Sequence, residues 1–219
     1  LTDAIDTKSG LIRGMTYNKK GGRLAAFYLA EYAGINDETG IPQIYEIDRD
    51  HFQKTGETVK TGKIIPATTN NIKNHKVLHK DETALPTFFG GINNTFEYKG
   101  IDFQMFWQGI GKRDYMAEGV HFWGFTSEWD TPVKASLDYW TADNKKAYFP
   151  RPNWNHGGNR HNSDRYLQNA AYIRLKNVTL GYTFPKEILS STGIQKLRIF
   201  LVGENLLTFT DLIDSFDPE

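Results

Sequence analysis

The sequence predicts an all-β fold of antiparallel, up-and-down strands that form part of a transmembrane β-barrel with long extracellular loops. Three observations lead there. The stretch from Leu85 to Gly109, LPTFFGGINNTFEYKGIDFQMFWQG, alternates apolar and polar residues in two runs joined by Lys99-Gly100. Each run is roughly 9–11 residues long, the length a tilted strand needs to cross a bilayer. No apolar run approaches the roughly 18 residues of a membrane helix.

Side chains in a strand alternate faces, so each run can be sorted by eye. Phe88, Gly90, Ile92, Phe96 and Tyr98 share one face, and Gly91, Asn93, Thr95, Glu97 and Lys99 share the other. The second run places Ile101, Phe103, Met105 and Trp107 opposite Asp102, Gln104 and Gln108. A barrel wall requires this pattern, with apolar residues toward lipid, polar residues toward the lumen and aromatics at the interfaces. Tyr98, Trp107 and Tyr182 suit that aromatic girdle. The same alternation also builds a soluble carbohydrate-binding β-sandwich, whose apolar face meets a second sheet. The direction in which Phe88, Ile92, Phe96, Phe103 and Met105 point separates the two.

The remaining elements follow along the chain. Leu1 to Gly22 is polar and weakly patterned, and Leu24 to Ala33 reads as one strand. Asn36-Asp37, Thr39-Gly40 and Pro42 are turn chemistry. Gln43 to Ala84 reads as loops with short strands such as Gly62 to Ile65. After the hairpin, Gly109 to Arg165 is the longest irregular region. Such a loop argues against a compact domain but is natural at the outer end of a barrel. Tyr172 to Thr183 is a third strand, in which Ile173 and Leu175 lie out of phase with Val178, Leu180 and Tyr182. That switch predicts a β-bulge near Lys176-Asn177. Pro185 to Ser191 predicts one helical turn ended by Gly193, and Gln195 to Glu204 a fourth strand. The short connections at Lys99-Gly100 and Pro185 to Gly193 should lie at the periplasmic rim. The segments Gly109 to Arg165 and Leu206 to Glu219 should lie outside the cell.

Composition narrows the function. Twenty-six basic residues balance twenty-six acidic ones, so no net field favours nucleic acid or an anionic surface. The absence of cysteine excludes disulfides, thiolate metal sites and a cysteine nucleophile. Aromatics at 14% are rich for a soluble domain and natural for interface girdles or sugar-binding loops. No nucleophile elbow, phosphate loop or dinucleotide fingerprint occurs in a credible context, so the chain is read as no enzyme and without cofactor.

His75 and His79 have zinc-ligand spacing but no third ligand, and read as solvated loop residues, as do His156 and His161. Asp48 and Asp50 read as a solvated turn. Glu97, Asp102, Gln104 and Arg174 read as lumen wall. The candidate contacts to substrate or partner are the loop tryptophans Trp123, Trp129, Trp140 and Trp154, because flat rings stack on sugars. The competing reading has them pack the loop on itself or on a partner.

Several of these segments resemble a known family. YLQNAAYIRLKNVTLGYTFP at Tyr166 to Pro185, LRIFLVGENLLTFT at Leu197 to Thr210 and FDPE at Phe216 to Glu219 are similar to the C-terminal barrel of SusC/RagA-type TonB-dependent outer-membrane transporters. Upstream, YAGINDETGIPQIY at Tyr32 to Tyr45, FGGINNTFEYKGIDFQMFWQG at Phe89 to Gly109 and LDYWTADNKKAYFPR at Leu137 to Arg151 resemble the family in the same order. The resemblance implies a barrel of about 22 strands with a plug inside it. It also implies energy from a TonB complex through that plug, a SusD-type surface lipoprotein partner, and a glycan or peptide ligand. The chain is then expected to be, over residues 1–219, a fragment of the C-terminal half of the barrel, with plug and final strands absent. One departure is YEIDRDHFQKTGE at Tyr45 to Glu57, where acidic calcium-loop residues are often found in the family. Asp48 and Asp50 alone do not supply a calcium loop, and no metal is expected.

Overall fold

The computed structural model describes residues 10–117, 134–152, 163–191, 193–212 and 217–218. The chain forms two compact units. One comprises Leu1–Leu85 with Asp114–Gln168, the other Pro86–Arg113 with Asn169–Glu219.

The second unit is built on a single four-stranded sheet. Its strands are β8 (Phe88–Tyr98), β9 (Ile101–Gly111), β12 (Tyr172–Thr183) and β13 (Arg198–Thr210), in the order β13-β12-β9-β8. All neighbours are antiparallel, including β9 with β12 across the long loop. Lys99 and Gly100 both take positive φ, 47° and 85°, the geometry of a two-residue hairpin turn whose twist matches the strands. The Gly100 carbonyl accepts the Thr183 amide at 2.7 Å, so this turn and the β12–β13 connection lie at the same end of the sheet. That connection holds the expected helical turn, α3 (Lys186–Leu189), and Gly193 follows with φ 72°.

The bulge is where the pattern places it. Leu175 pairs with Trp107 and Asn177 with Phe106, so Lys176 is the extra residue. It returns Val178, Leu180 and Tyr182 to the face that Ile173 and Leu175 occupy. The fourth strand differs from expectation. The sequence reading ends it at Glu204 and places Leu206 to Glu219 outside the cell. Instead Asn205 takes φ 52° within the strand, and β13 runs to Thr210. Two β13 residues, Asn205 and Leu206, sit opposite Lys176, so a second irregularity absorbs the polar pair.

The first unit corrects the reading of Leu24 to Ala84. The single expected strand divides into β3 (Ala26–Ala30) and β4 (Tyr32–Ile35). The short strand expected at Gly62 to Ile65 is β6 (Lys60–Pro66), and the surrounding expected loops carry β5 (Pro42–Ile47), α1 (Arg49–Thr55), α2 (Thr69–Asn74) and β7 (Lys76–Thr83). One sheet orders β1 (Leu11–Arg13), β2 (Thr16–Asn18), β3 and β7, and another β4, β5 and β6. The loop after β9 contributes β10 (Asp114–Met116), paired with β11 (Leu167–Asn169). Phe27 and Leu29 from β3 meet Met116, Phe149 and Tyr166 from the long loop in one core. Ala30, Ile44, Ala67 and Ile72 form a second. In the first core Phe27 and Leu29 meet Phe149 and Tyr166 from more than a hundred positions away, which no local pattern reveals.

Candidate functional site

The sheet of the second unit presents two chemically distinct faces. Cross-strand pairing aligns Ile92 with Trp107, Phe96 with Phe103 and Tyr98 with Ile101. It continues through Phe103 with Leu180, and Leu180 with Leu201. These side chains stay uncovered. Phe88 and Ile92 are 65% exposed and Leu201 73%, while Phe96, Ile173, Ile199 and Phe209 are also exposed. A sandwich would bury them between two sheets, and here they lie exposed on one sheet. Water does not tolerate an apolar face this continuous on a soluble monomer. Asn94, opposite Met105, is the polar exception on this face.

The opposite face carries polar groups held by one another. Gln104 Nε2 donates to Asn93 Oδ1 at 3.3 Å. Arg198 grips Asp102 with two bonds, Nε to Oδ1 at 3.0 Å and Nη2 to Oδ2 at 2.5 Å. The pair reaches from β13 to β9 across β12, where Gly181 lies between them. A Cβ at Gly181 would stand 2.5 Å from Arg198 Nη2 and 2.6 Å from Asp102 Oδ1. Phe200 and Phe106 also occupy this face. Phe200 lies under the Arg198 guanidinium at 5.0 Å, and the Phe106 ring covers Gly91, whose Cβ would meet it at 2.7 Å.

Arg174 shares the polar face but is only 4% exposed. Its Nε donates to Thr208 Oγ1 at 2.9 Å and its Nη2 to Asp217 Oδ1 at 2.6 Å. Arg113 Nη1 donates to the Pro218 carbonyl at 3.0 Å. Two arginines thus hold the Asp217-Pro218 pair. The sequence marked Arg174 as wall and DPE as loop; a buried cation demands a partner, and that demand links them.

The loop unit has its own polar organisation. Asn36 Oδ1 accepts from the Glu38 and Thr39 amides at 3.0 and 2.9 Å, closing the turn. Gly40, φ 71°, follows it, and a Cβ there would lie 2.5 Å from the Trp140 indole. Trp140 is 8% exposed, packed against this turn. Trp123, Trp129 and Trp154 lie outside the described residues, as do His156 and His161.

Asp48 and Asp50 are exposed, as a solvated turn requires, while His75 and His79 are half-buried and held by partners. Asp48 caps α1 by accepting the His51 amide at 2.9 Å, with Asp50 in the helix's first turn. His75 ends α2, and its Nδ1 accepts the Ile47 amide at 3.2 Å. His79 lies on β7 and meets Glu82 at 2.7 Å. The i,i+4 spacing therefore spans a helix end and a strand. Among the described residues no group of three metal-ligating side chains forms.

Asp164 accepts the Tyr32 amide at 2.7 Å. Burial pushes its carboxyl above the usual range, while that amide and nearby His79 pull it back. Burial likewise raises the Tyr166 and Tyr32 hydroxyls. Arg165 is ringed by Tyr32, Tyr148 and Tyr166 at 5.0 to 5.2 Å and donates to the Tyr148 carbonyl.

No family model matches the chain. The TonB-dependent receptor P3 of Formosa agariphila is 28% identical over 221 residues, which cover 98% of this chain and 21% of the receptor. Over nearly its whole length the chain is similar to a TonB-dependent receptor. Receptor P26 of the same organism is 28% identical over 135 residues, covering 62% of the chain and 14% of P26. The RagAB peptide importer in its closed-closed state superimposes with a TM-score of 0.64 at 26% identity, over 85% of this chain and 20% of that one. In the open-open state the TM-score is 0.69 at 24% identity, over 95% and 21%. The chain therefore spans about a fifth of P3 and less of P26. The matched proteins are receptors and importers, not enzymes. In a receptor barrel the uncovered face of β8, β9, β12 and β13 has an ordinary role.

Proposed function

We propose that the chain is a slice of the C-terminal half of an outer-membrane, TonB-dependent nutrient importer. The observation that carries this reading is one sheet with a continuous exposed apolar face and an ion-paired polar face. The apolar face meets lipid, and the polar face lines the lumen. The loop unit contributes to an extracellular vestibule, where Trp123, Trp129 and Trp154 serve ligand or partner contact, while the buried Trp140 packs the unit on itself. A SusD-type lipoprotein captures a glycan or peptide above it. Energy arrives from the TonB complex through a plug supplied elsewhere in the receptor. The receptor names of the Formosa relatives and the likeness to a peptide importer support this reading.

Uptake by cells tests it. Deleting the receptor gene or removing TonB function should abolish growth on the cognate nutrient alike. Replacing Trp123 or Trp129 with alanine should weaken uptake while leaving the yield of folded barrel unchanged. Normal uptake without TonB function would overturn the reading, and lost barrel yield would show that these rings only pack the loop.

A further inference from the structure

The chain is neutral overall, yet one recess of the loop unit is not. The β2–β3 turn, the C-terminal end of α1 and β7 enclose a cleft of about 790 Å³. That volume falls in the range of small-molecule sites. Lys19, Lys20, Arg23 and Lys80 line it against only Glu57 and Asp81, an excess of two positive charges. One of the cations is positioned by the backbone. Arg23 Nη1 donates to the Asp81 carbonyl at 2.7 Å. Lys19 Nζ lies 3.6 Å from where a Cβ at Gly56 would stand, at the negative end of α1.

The turn that presents the lysines is closed by the Gly22 amide donating to the Lys19 carbonyl at 3.0 Å. Its glycines leave the recess open on that side. Apolar lining is confined to Ala26, Leu78 and the buried Tyr17 ring. A ligand here must be hydrophilic on most of its surface and negatively charged. A peptide would need apolar recesses for its side chains, and a flat lipid surface would not enter a cleft.

We propose that this cleft binds an acidic oligosaccharide, its carboxylate or sulfate groups held by Lys19, Lys20, Arg23 and Lys80. The proposal rests on the import reading for its purpose and names a substrate class for it. Ammonium and guanidinium groups bind such anions through charge-assisted hydrogen bonds.

The test uses the full-length receptor, purified, with calorimetry against four probes. These are a galacturonate oligosaccharide, a sulfated galactan oligosaccharide, a neutral maltooligosaccharide and a polyglutamate peptide. At least one acidic saccharide should bind at least about tenfold more tightly than the neutral one, and added salt should weaken it. The double variant Lys20→Gln/Lys80→Gln should lose about tenfold or more for that saccharide, while Lys145→Gln, an exposed lysine elsewhere in the unit, should not. Circular dichroism checks that both variants fold. Binding of neither acidic saccharide, equal binding by the double variant, or equal or tighter binding of polyglutamate would overturn the proposal. TonB-dependent uptake of other nutrients in the same cells would then leave the import reading standing, whereas TonB-independent uptake would remove that reading and leave the binding result intact.

Discussion

At the scale of single residues, the polar face depends on one absence. Gly181 provides the gap through which Arg198 reaches Asp102 over the intervening strand. Gly181→Val should part the pair and lower stability by about 1–3 kcal/mol, the usual penalty of forcing extra volume into a packed site. Urea titration of the reconstituted barrel checks this; an unchanged midpoint would mean the pair is dispensable. Asp164 behaves in the opposite sense to a salt-bridged acid. Its folded-state carboxyl titrates above the unfolded value because burial penalises the charge. Between those two values the folded state binds more protons, so stability falls as pH rises through that window and levels off above it. Asp164→Asn keeps an acceptor for the Tyr32 amide and should flatten that slope. Identical slopes in wild type and variant would assign the effect to another group.

At the scale of elements, the two faces of a strand should tolerate charge unequally. Arginine at Ile92 or Phe103 should cost about 2–4 kcal/mol near the bilayer midplane, and arginine at Asn93 little. Equal tolerance in a membrane-folding assay would refute the lipid-facing assignment. The bulge makes a sharper claim. Deleting Lys176 removes the residue that resets the phase of β12, so either half of the strand would present its polar set to lipid. The deletion should abolish barrel assembly, whereas Lys176→Ala should be tolerated, as heat-modified mobility on gels will report.

At the scale of the whole molecule, both short connections of the sheet share one end, which the sequence reading expects at the periplasmic rim, and the proposal places the loop unit outside the cell. In intact cells an impermeant thiol reagent should therefore label Lys145→Cys in the loop unit and leave Lys99→Cys unlabelled. The reverse result would invert the topology. The loop unit also explains why a long irregular stretch is compatible with order. Its core joins Phe27 and Leu29 to Phe149 and Tyr166, so the segment after β9 folds on the segment before β8.

While the run of β13 on to Thr210 came from the structure, the sequence by itself determined three wall strands and the first half of the fourth, their hairpin turn, their faces and the bulge near Lys176. Each follows from a period of two and from turn chemistry, which are local properties of the chain. The tertiary structure alone decided the rest. Much of Gln43 to Ala84 looked like loop because its strands are short and its helices hold six or seven residues, below the length at which periodicity speaks. His75 and His79 looked solvated because the Ile47 amide and the Glu82 carboxylate that engage them are not signalled by spacing. The Arg198–Asp102 fork and the Arg174–Asp217 pair join residues 96 and 43 positions apart. Such partners are chosen by where the backbone brings opposite charges together in three dimensions, and nothing local to either residue encodes it.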